Sequence, residues 1–478
     1  MKPVLALLSV LFATLTLPAT QAARPTVKPN IVFILADDMG YGDVHAFNPQ
    51  SKIPTPHLDR LAASGMRFTD AHAGGSVCVP SRYALLTGRF AVRAALELNK
   101  GPAIEEGRMT IASLLREHGY ATAMVGKWHQ GFETTSDRTK GNFDYTRPLR
   151  GGPLDRGFDS FFGMHASLDI PPYFFIRGRT PLLPPTDNAA ASSSVGHPDG
   201  WSNIQGEFWR AGPVAPDFKH AAVTPRFATE AVEVIRGHAA GKREKPLFFY
   251  LALPSPHTPW LPLEEFRGKS GAGMYGDFVM QVDAVVGQVL GALETAGLAE
   301  NTLVFFSSDN GPVWDEKDIA KFGHRAAGVL RGKKATSWEG GHRMPFIVRW
   351  PGQIAPGSVS TQTIAFSDVF ATFAELVGRK QMPAGAAEDS VSFFPYLLDP
   401  AKTPAPRAPL VHDQWTLRDG DWKLILPRGR AGKAGKGASS GGELFNLRAD
   451  PSEQHNLFSE EPARAARMQA QLKAILEK

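Results

Sequence analysis

Residues 28–38 read Lys-Pro-Asn-Ile-Val-Phe-Ile-Leu-Ala-Asp-Asp, an unbroken apolar run that closes on two carboxylates, Asp37 and Asp38. Alternating polarity marks a strand with one wet face, whereas a continuous run marks a strand covered on both faces, as in a parallel sheet. The acids fall at its carboxyl end, where open α/β sheets gather their ligands. Three more stretches follow the same plan. Residues 120–125 lead into Gly126, Lys127, Trp128 and His129; residues 246–253 lead into Ser255, Pro256 and His257; residues 302–306 lead into Ser308, Asp309 and Asn310. Helix signals lie between them: Thr55 ahead of Pro56 with Gly65 beyond, Thr110 ahead of Ile111 with Gly119 as the stop, and Thr224 with Pro225. Val279, Val282, Val286, Val289, Leu290 and Leu293 recur at helical spacing, and a further helix is expected near 368–377. The alternation predicts an α/β body.

Beyond about residue 385 the pattern changes to strands at 422–426 and 443–447, a Gly-rich basic loop at 428–442 and a closing helix from about 461. Residues 23–385 are therefore expected to form the main domain and 386–478 a smaller α+β domain packed on it, with 184–216 a Pro/Gly/Ser-rich surface excursion. The 478 residues are 43% hydrophobic and 21% charged, a globular balance that excludes wholesale disorder. A net charge of +5, with Lys and Arg scattered, excludes a nucleic-acid partner on electrostatic grounds. Lys2, the apolar residues 4–17 and the small residues through Ala22 read as a signal peptide, 1–22, and place the mature chain in the periplasm or outside the cell. No later stretch is read as a membrane span.

An exported chain has access to disulfides, yet this one has a single cysteine, Cys78. Its surroundings are Ser76, Val77, Cys78, Val79, Pro80, Ser81, Arg82. Pro80 suits a first helical turn, so Cys78 is expected at a helix N-terminus, where backbone N–H groups favour an anion. Arg82 follows by four residues rather than the six of a thiolate phosphatase loop, which disfavours a thiol nucleophile.

This Cys-x-Pro-x-Arg run resembles that of the type I sulfatases, the formylglycine-dependent, arylsulfatase-like branch of the alkaline phosphatase superfamily. Further motifs carry the resemblance over most of the chain. Asp37 and Asp38 with Gly40, Tyr41, Gly42 and Asp43 match the opening metal motif, and Gly119 to His129 match the second signature. Pro256 to Pro259, Ser308 to Gly311, Leu330 to Gly341 and Glu443 to Asn456 match the histidine, second metal, lysine and C-terminal motifs. Val79 is bulkier than the usual small residue. Lys333 stands where Gly is commoner, so register assigns the motif lysine to Lys334 with Lys333 as the alternative.

The resemblance implies a large mixed sheet sandwiched by helices, with a smaller C-terminal α+β domain of antiparallel sheet plus helix. It also implies that a maturation enzyme oxidises Cys78 to 3-oxoalanine (formylglycine). Asp37, Asp38, Asp309 and Asn310 offer only oxygen, which calls for a hard cation, Ca2+ first and Mg2+ as the alternative, with Cys78 beside it. In the implied chemistry the hydrated aldehyde attacks the sulfur of a sulfate ester. Asp309 accepts its proton, Arg82, Lys127 and Lys334 neutralise the sulfate oxygens, His257 protonates the departing alcohol, and His129 takes the proton that lets the aldehyde re-form. Lys127, His257 and Lys334 are thereby expected to bind substrate as well. A sulfated polysaccharide or oligosaccharide is the expected substrate, with His324, Arg325, His342 and Arg343 as candidate sugar contacts. Tyr173, Phe174 and Phe175 stand evenly between pocket mouth and core. A phosphate or phosphonate ester hydrolase and a catalytically dead sulfated-glycan binding protein are the alternatives. The sequence does not fix the oligomeric state.

Overall fold

The computed structural model describes residues 28–477 except 95, 97–100, 134–142, 242–243, 400, 403–404, 406 and 428–440. The expected signal peptide and most of the basic loop therefore lie outside the described residues.

The opening apolar run forms the strand Asn30–Asp37, buried at every position. It lies at the middle of a ten-stranded sheet, flanked by Leu247–Pro256 and Thr302–Ser308. Five adjacent strands run parallel in the order Thr302–Ser308, Asn30–Asp37, Leu247–Pro256, Ala121–Lys127, Ser160–Met164. Antiparallel pairings begin outside them, with Phe346–Arg349 at one side and Ile176–Arg177 at the other, so the sheet is mixed. Parallel register brings Ala36 opposite Ser308, and Asp37 opposite Pro256, so the polar strand ends meet along one edge. Gly126 makes this possible near the centre: its φ is +118°, and a Cβ there would meet the Ala252 carbonyl oxygen at 1.9 Å.

Two groups of helices sandwich the sheet. Pro56–Ala63, Val223–Ala240 and Gly273–Thr295 pack together in one group, and Cys78–Thr87, Ile111–Glu117 and Asp368–Leu376 in the other. Thr110 and Ser113 close a reciprocal capping box at the start of Ile111–Glu117. Gly273–Thr295 is long and apolar enough to cross a bilayer by composition, although no span was read from the sequence there. Its Val279, Val282, Val286 and Val289 are fully buried inside the protein, so it is a core helix. Tyr173, Phe174 and Phe175 are likewise core: Tyr173 stacks on Phe218, Phe175 on Phe162, and Phe174 on His165.

The small unit is a four-stranded antiparallel sheet, Leu410–Asp413, Thr416–Asp419, Trp422–Ile425 and Glu443–Asn446, covered by Pro462–Leu476. Leu417, Leu424, Leu444, Met468 and Leu472 form its own core. Phe393, Phe394 and Leu397 pack into the main core.

Candidate active site

Four strand ends and one helix N-terminus build the centre. The backbone N–H of Asp309 bonds the Ala36 carbonyl at 3.0 Å, and the N–H of Asp38 bonds Asp309 Oδ1 at 3.2 Å, which ties the two acidic ends together. Asp38 adopts φ +64°, a left-handed turn that Asp tolerates better than most residues. Asn310 donates from Nδ2 to Asp38 Oδ1 at 2.6 Å and to the Gly311 carbonyl at 2.9 Å. Its Oδ1 is buried without a hydrogen-bond partner among the described residues. Three buried carboxylates beside a spare amide oxygen form an oxygen-only donor set, and that set fits a hard divalent cation.

Cys78 is the first residue of the helix Cys78–Thr87, with its Sγ 3.4 Å from Asp37 Oδ1. Burial first, and then the Asp37 carboxylate, push its thiol far up, so the thiolate is not the ready nucleophile. One turn along, Arg82 bonds Asp309 Oδ2 through Nε at 2.9 Å, the Lys127 carbonyl through Nη1 at 3.1 Å and Asp37 Oδ2 through Nη2 at 3.2 Å. All three guanidinium nitrogens are thus engaged within the centre. Arg82 holds the carboxylates and the end of the strand Ala121–Lys127.

Lys127 Nζ bonds Asp37 Oδ2 and donates to Ser167 Oγ at 3.2 Å. Burial acts to raise Asp37, but Lys127, Arg82, His257 and Lys334 more than reverse it and hold the carboxyl well below its usual range. Burial and then Asp37 push the Asp309 carboxyl up to about 6. Lys334 Nζ lies 2.8 Å from Asp38 Oδ2 and 3.7 Å from Cys78 Sγ, whereas Lys333 pairs with Asp315. The register assignment therefore falls on the lysine that faces the centre. Three carboxylates against Arg82, Lys127 and Lys334 cancel, so a divalent cation would leave the centre positive and suited to an anionic ester.

His257 donates from Nδ1 to the Thr258 carbonyl at 2.6 Å, and its Nε2 lies 3.6 Å from Asp38 Oδ2. His129 follows Lys127 in a turn at φ +53°, with its backbone N–H on the His165 carbonyl at 3.0 Å. Gln130 anchors that turn to the Val79 carbonyl at 3.0 Å, one residue past Cys78. Other expected contacts do not reach this centre. His324 is fully buried between Asp43, at 2.7 Å, and the Lys52 N–H, and His342 is fully buried against His72 at 3.1 Å. Arg325 is exposed, and Arg343 bonds the Thr69 carbonyl at 2.9 Å.

Sequence reasoning missed Ser167 and Asp169, which follow the strand Ser160–Met164. Ser167 Oγ lies 3.3 Å from His257 Nδ1, and Asp169 is a buried carboxylate paired with the side chain of Arg210. Their strand has only the three apolar residues Phe161, Phe162 and Met164, interrupted by Gly163, so no long apolar run pointed to the polar residues beyond it.

An α/β sandwich whose strand ends hold an oxygen-donor cation pocket, three cationic side chains and a helix-terminal cysteine defines a class of anionic-ester hydrolase. The sulfatase family profile matches residues 29–379. An N-acetylgalactosamine-6-O-sulfatase of Bacteroides thetaiotaomicron is 33% identical over 481 residues, covering 91% of this chain and 90% of the relative. An N-acetylgalactosamine-6-sulfatase of Rattus norvegicus is 34% identical over 404 residues, covering 82% of this chain and 69% of the relative. Among solved structures, a 6S-sulfatase from a Bacteroides thetaiotaomicron locus for metabolism of multiple glycosaminoglycans superposes with TM-score 0.81 at 28% identity, covering 94% of this chain and all of that one. The chain belongs to the sulfatase family of the alkaline phosphatase superfamily and is an enzyme that hydrolyses sulfate esters.

Proposed function

We propose that the chain removes 6-O-sulfate from N-acetylgalactosamine-type units of sulfated glycans, as an exported enzyme matured at Cys78. The observation that carries the centre's chemistry is the position of Cys78: at a helix N-terminus, 3.4 Å from Asp37 Oδ1 and 3.7 Å from Lys334 Nζ. A thiol there is a poor nucleophile. Oxidation to formylglycine by a dedicated maturation enzyme replaces it with a hydrate oxygen at the same point.

Asp37, Asp38, Asp309 and Asn310 would hold Ca2+, and when bound the cation supplies Lewis acidity beside the nucleophile. Arg82 keeps Asp37 and Asp309 oriented for that task and is a positioning residue. Lys127 and Lys334 present ammonium groups to the ester oxygens as negative charge develops. His257, with Nδ1–H committed to the Thr258 carbonyl, is left with Nε2 to pass a proton to the departing alcohol. Ser167 steadies both Lys127 and His257. His129 serves as the base that regenerates the matured side chain.

The substrate assignment is supported by the relatives named above. Comparison of kcat/KM on an aryl sulfate and the matching aryl phosphate tests the reaction class, and 6-sulfated against 4-sulfated N-acetylgalactosamine oligosaccharides test the position. Preference for sulfate and for the 6-isomer is expected. Preference for phosphate would overturn the reaction class, and preference for the 4-isomer would overturn the position.

A further inference from the structure

Away from the Cys78 centre, three histidines from three separate segments meet where the small unit docks. His72 ends the strand Ala71–His72, His342 ends the helix Glu339–His342, and His412 lies in the strand Leu410–Asp413 of the small sheet. Their exposures are 0%, 0% and 5%. The usual fate of a buried histidine is a hydrogen bond at each nitrogen. His72 and His342 each have a neighbour at both nitrogens, whereas His412 departs from that pattern at Nε2.

His72 Nε2 lies 2.9 Å from Asp70 Oδ1, and His342 Nε2 lies 3.2 Å from the Ser337 carbonyl oxygen. If both Nε2–H groups donate to those oxygens, two bare Nδ1 lone pairs face each other across 3.1 Å. His412 Nε2 is buried with no hydrogen-bond partner among the described residues. One nitrogen from each ring lies within 4.8 Å of one from each of the others.

We propose that His72, His342 and His412 form a nitrogen-donor site for a late first-row divalent cation, zinc being the best match, which fastens the small unit to the main body. Donation of the far nitrogen to a carboxylate or carbonyl is the arrangement that orients a metal-bound imidazole. Zinc–nitrogen bonds of about 2.0–2.1 Å put tetrahedral ligand atoms roughly 3.3 Å apart, close to the His72–His342 spacing. The His342 and His412 rings stack with centroids 3.8 Å apart, so the His412 ring must turn out of that stack to complete the set. Burial also holds all three imidazoles below their ordinary range, in the neutral form that ligates.

The surrounding charges leave room for an ion. Arg418 Nη1 approaches His72 Nε2 at 2.7 Å but is answered by Asp70, and Lys423 approaches His342 Nε2 at 3.1 Å but is answered by Glu339 and Glu453. Without an ion, Arg418 could donate to His72, His72 to His342, and His342 to Ser337. That chain satisfies two rings and leaves His412 Nε2 unanswered. The site is also linked to the catalytic loop, because Ser337 Oγ donates to Asp413 Oδ2 at 2.8 Å, three residues beyond Lys334. It is chemically distinct from the oxygen-donor pocket at Asp37 and does not depend on which ester is hydrolysed there.

Zinc or cobalt is titrated into the full-length protein in excess Ca2+, with metal content and the visible cobalt spectrum as readouts. About one equivalent is expected to resist dialysis, with the intense bands of a low-coordinate cobalt site. His412→Gln is expected to abolish both signals and the zinc-dependent rise in Tm, whereas Asp309→Asn retains them. Wild-type protein that holds no zinc or cobalt under these conditions overturns the proposal without recourse to a variant. Undiminished binding in a folded His412→Gln protein overturns it equally.

Discussion

Lys334 reaches Cys78 from 256 positions away, placing Nζ 3.7 Å from Sγ while also bonding Asp38 Oδ2 at 2.8 Å. Its neighbour Lys333 turns outward to Asp315. Two adjacent lysines thus have separable roles. Lys334→Ala is expected to lower kcat/KM on an aryl sulfate by about 10²–10³, the usual cost of one contact to developing charge. Lys333→Ala is expected to stay close to wild type. Equal losses from the two would contradict the assignment.

Arg82 is argued to act through the carboxylates it bridges. Arg82→Lys removes the fork that spans Asp309 and Asp37, since an ammonium is a single point charge. Apparent Ca2+ affinity is expected to fall about 10–100-fold, with activity partly restored at high Ca2+. A Ca2+ titration of activity checks this. Unchanged affinity with a collapsed rate would mean that Arg82 meets the ester itself.

Asn310 Oδ1 is buried beside the three carboxylates with no hydrogen-bond partner among the described residues. Asn310→Ala is expected to weaken Ca2+ binding, and chelation of wild-type protein is expected to abolish desulfation reversibly on re-addition of Ca2+. Activity that survives exhaustive chelation would contradict the pocket's role.

The parts of the centre differed in how readable they were. Asp37, Asp38, Asp309 and Asn310 stood out because a strand buried on both faces must be wholly apolar, so its polar end is conspicuous. Ser167 and Asp169 lacked that contrast. His324 and His342 lie beside the lysine motif in the chain, but sequence adjacency gives no direction, and packing turns both onto Asp43 and His72. Phe393 and Leu397, within the stretch expected to be the small domain, complete the main core.

His220 lies in an aromatic nest, stacked on Trp209 with ring centroids 4.6 Å apart and edge-on to Tyr173 and Phe218, with the Asp169 carboxylate acting on it. Burial lowers it to about 4, against the pull of Asp169. The unfolded chain therefore takes up this proton first as pH falls, so the associated stability is complete above about 6.5 and is lost progressively toward 4. His220→Phe is expected to flatten the fall in Tm over that window. A slope identical to wild type would contradict the burial argument.

The most direct test of the central claim is peptide mass spectrometry across Cys78 in protein that is turning over a sulfate ester. The account predicts formylglycine at that position, in a fraction that tracks specific activity among preparations. Fully active enzyme carrying an intact Cys78 thiol would contradict it.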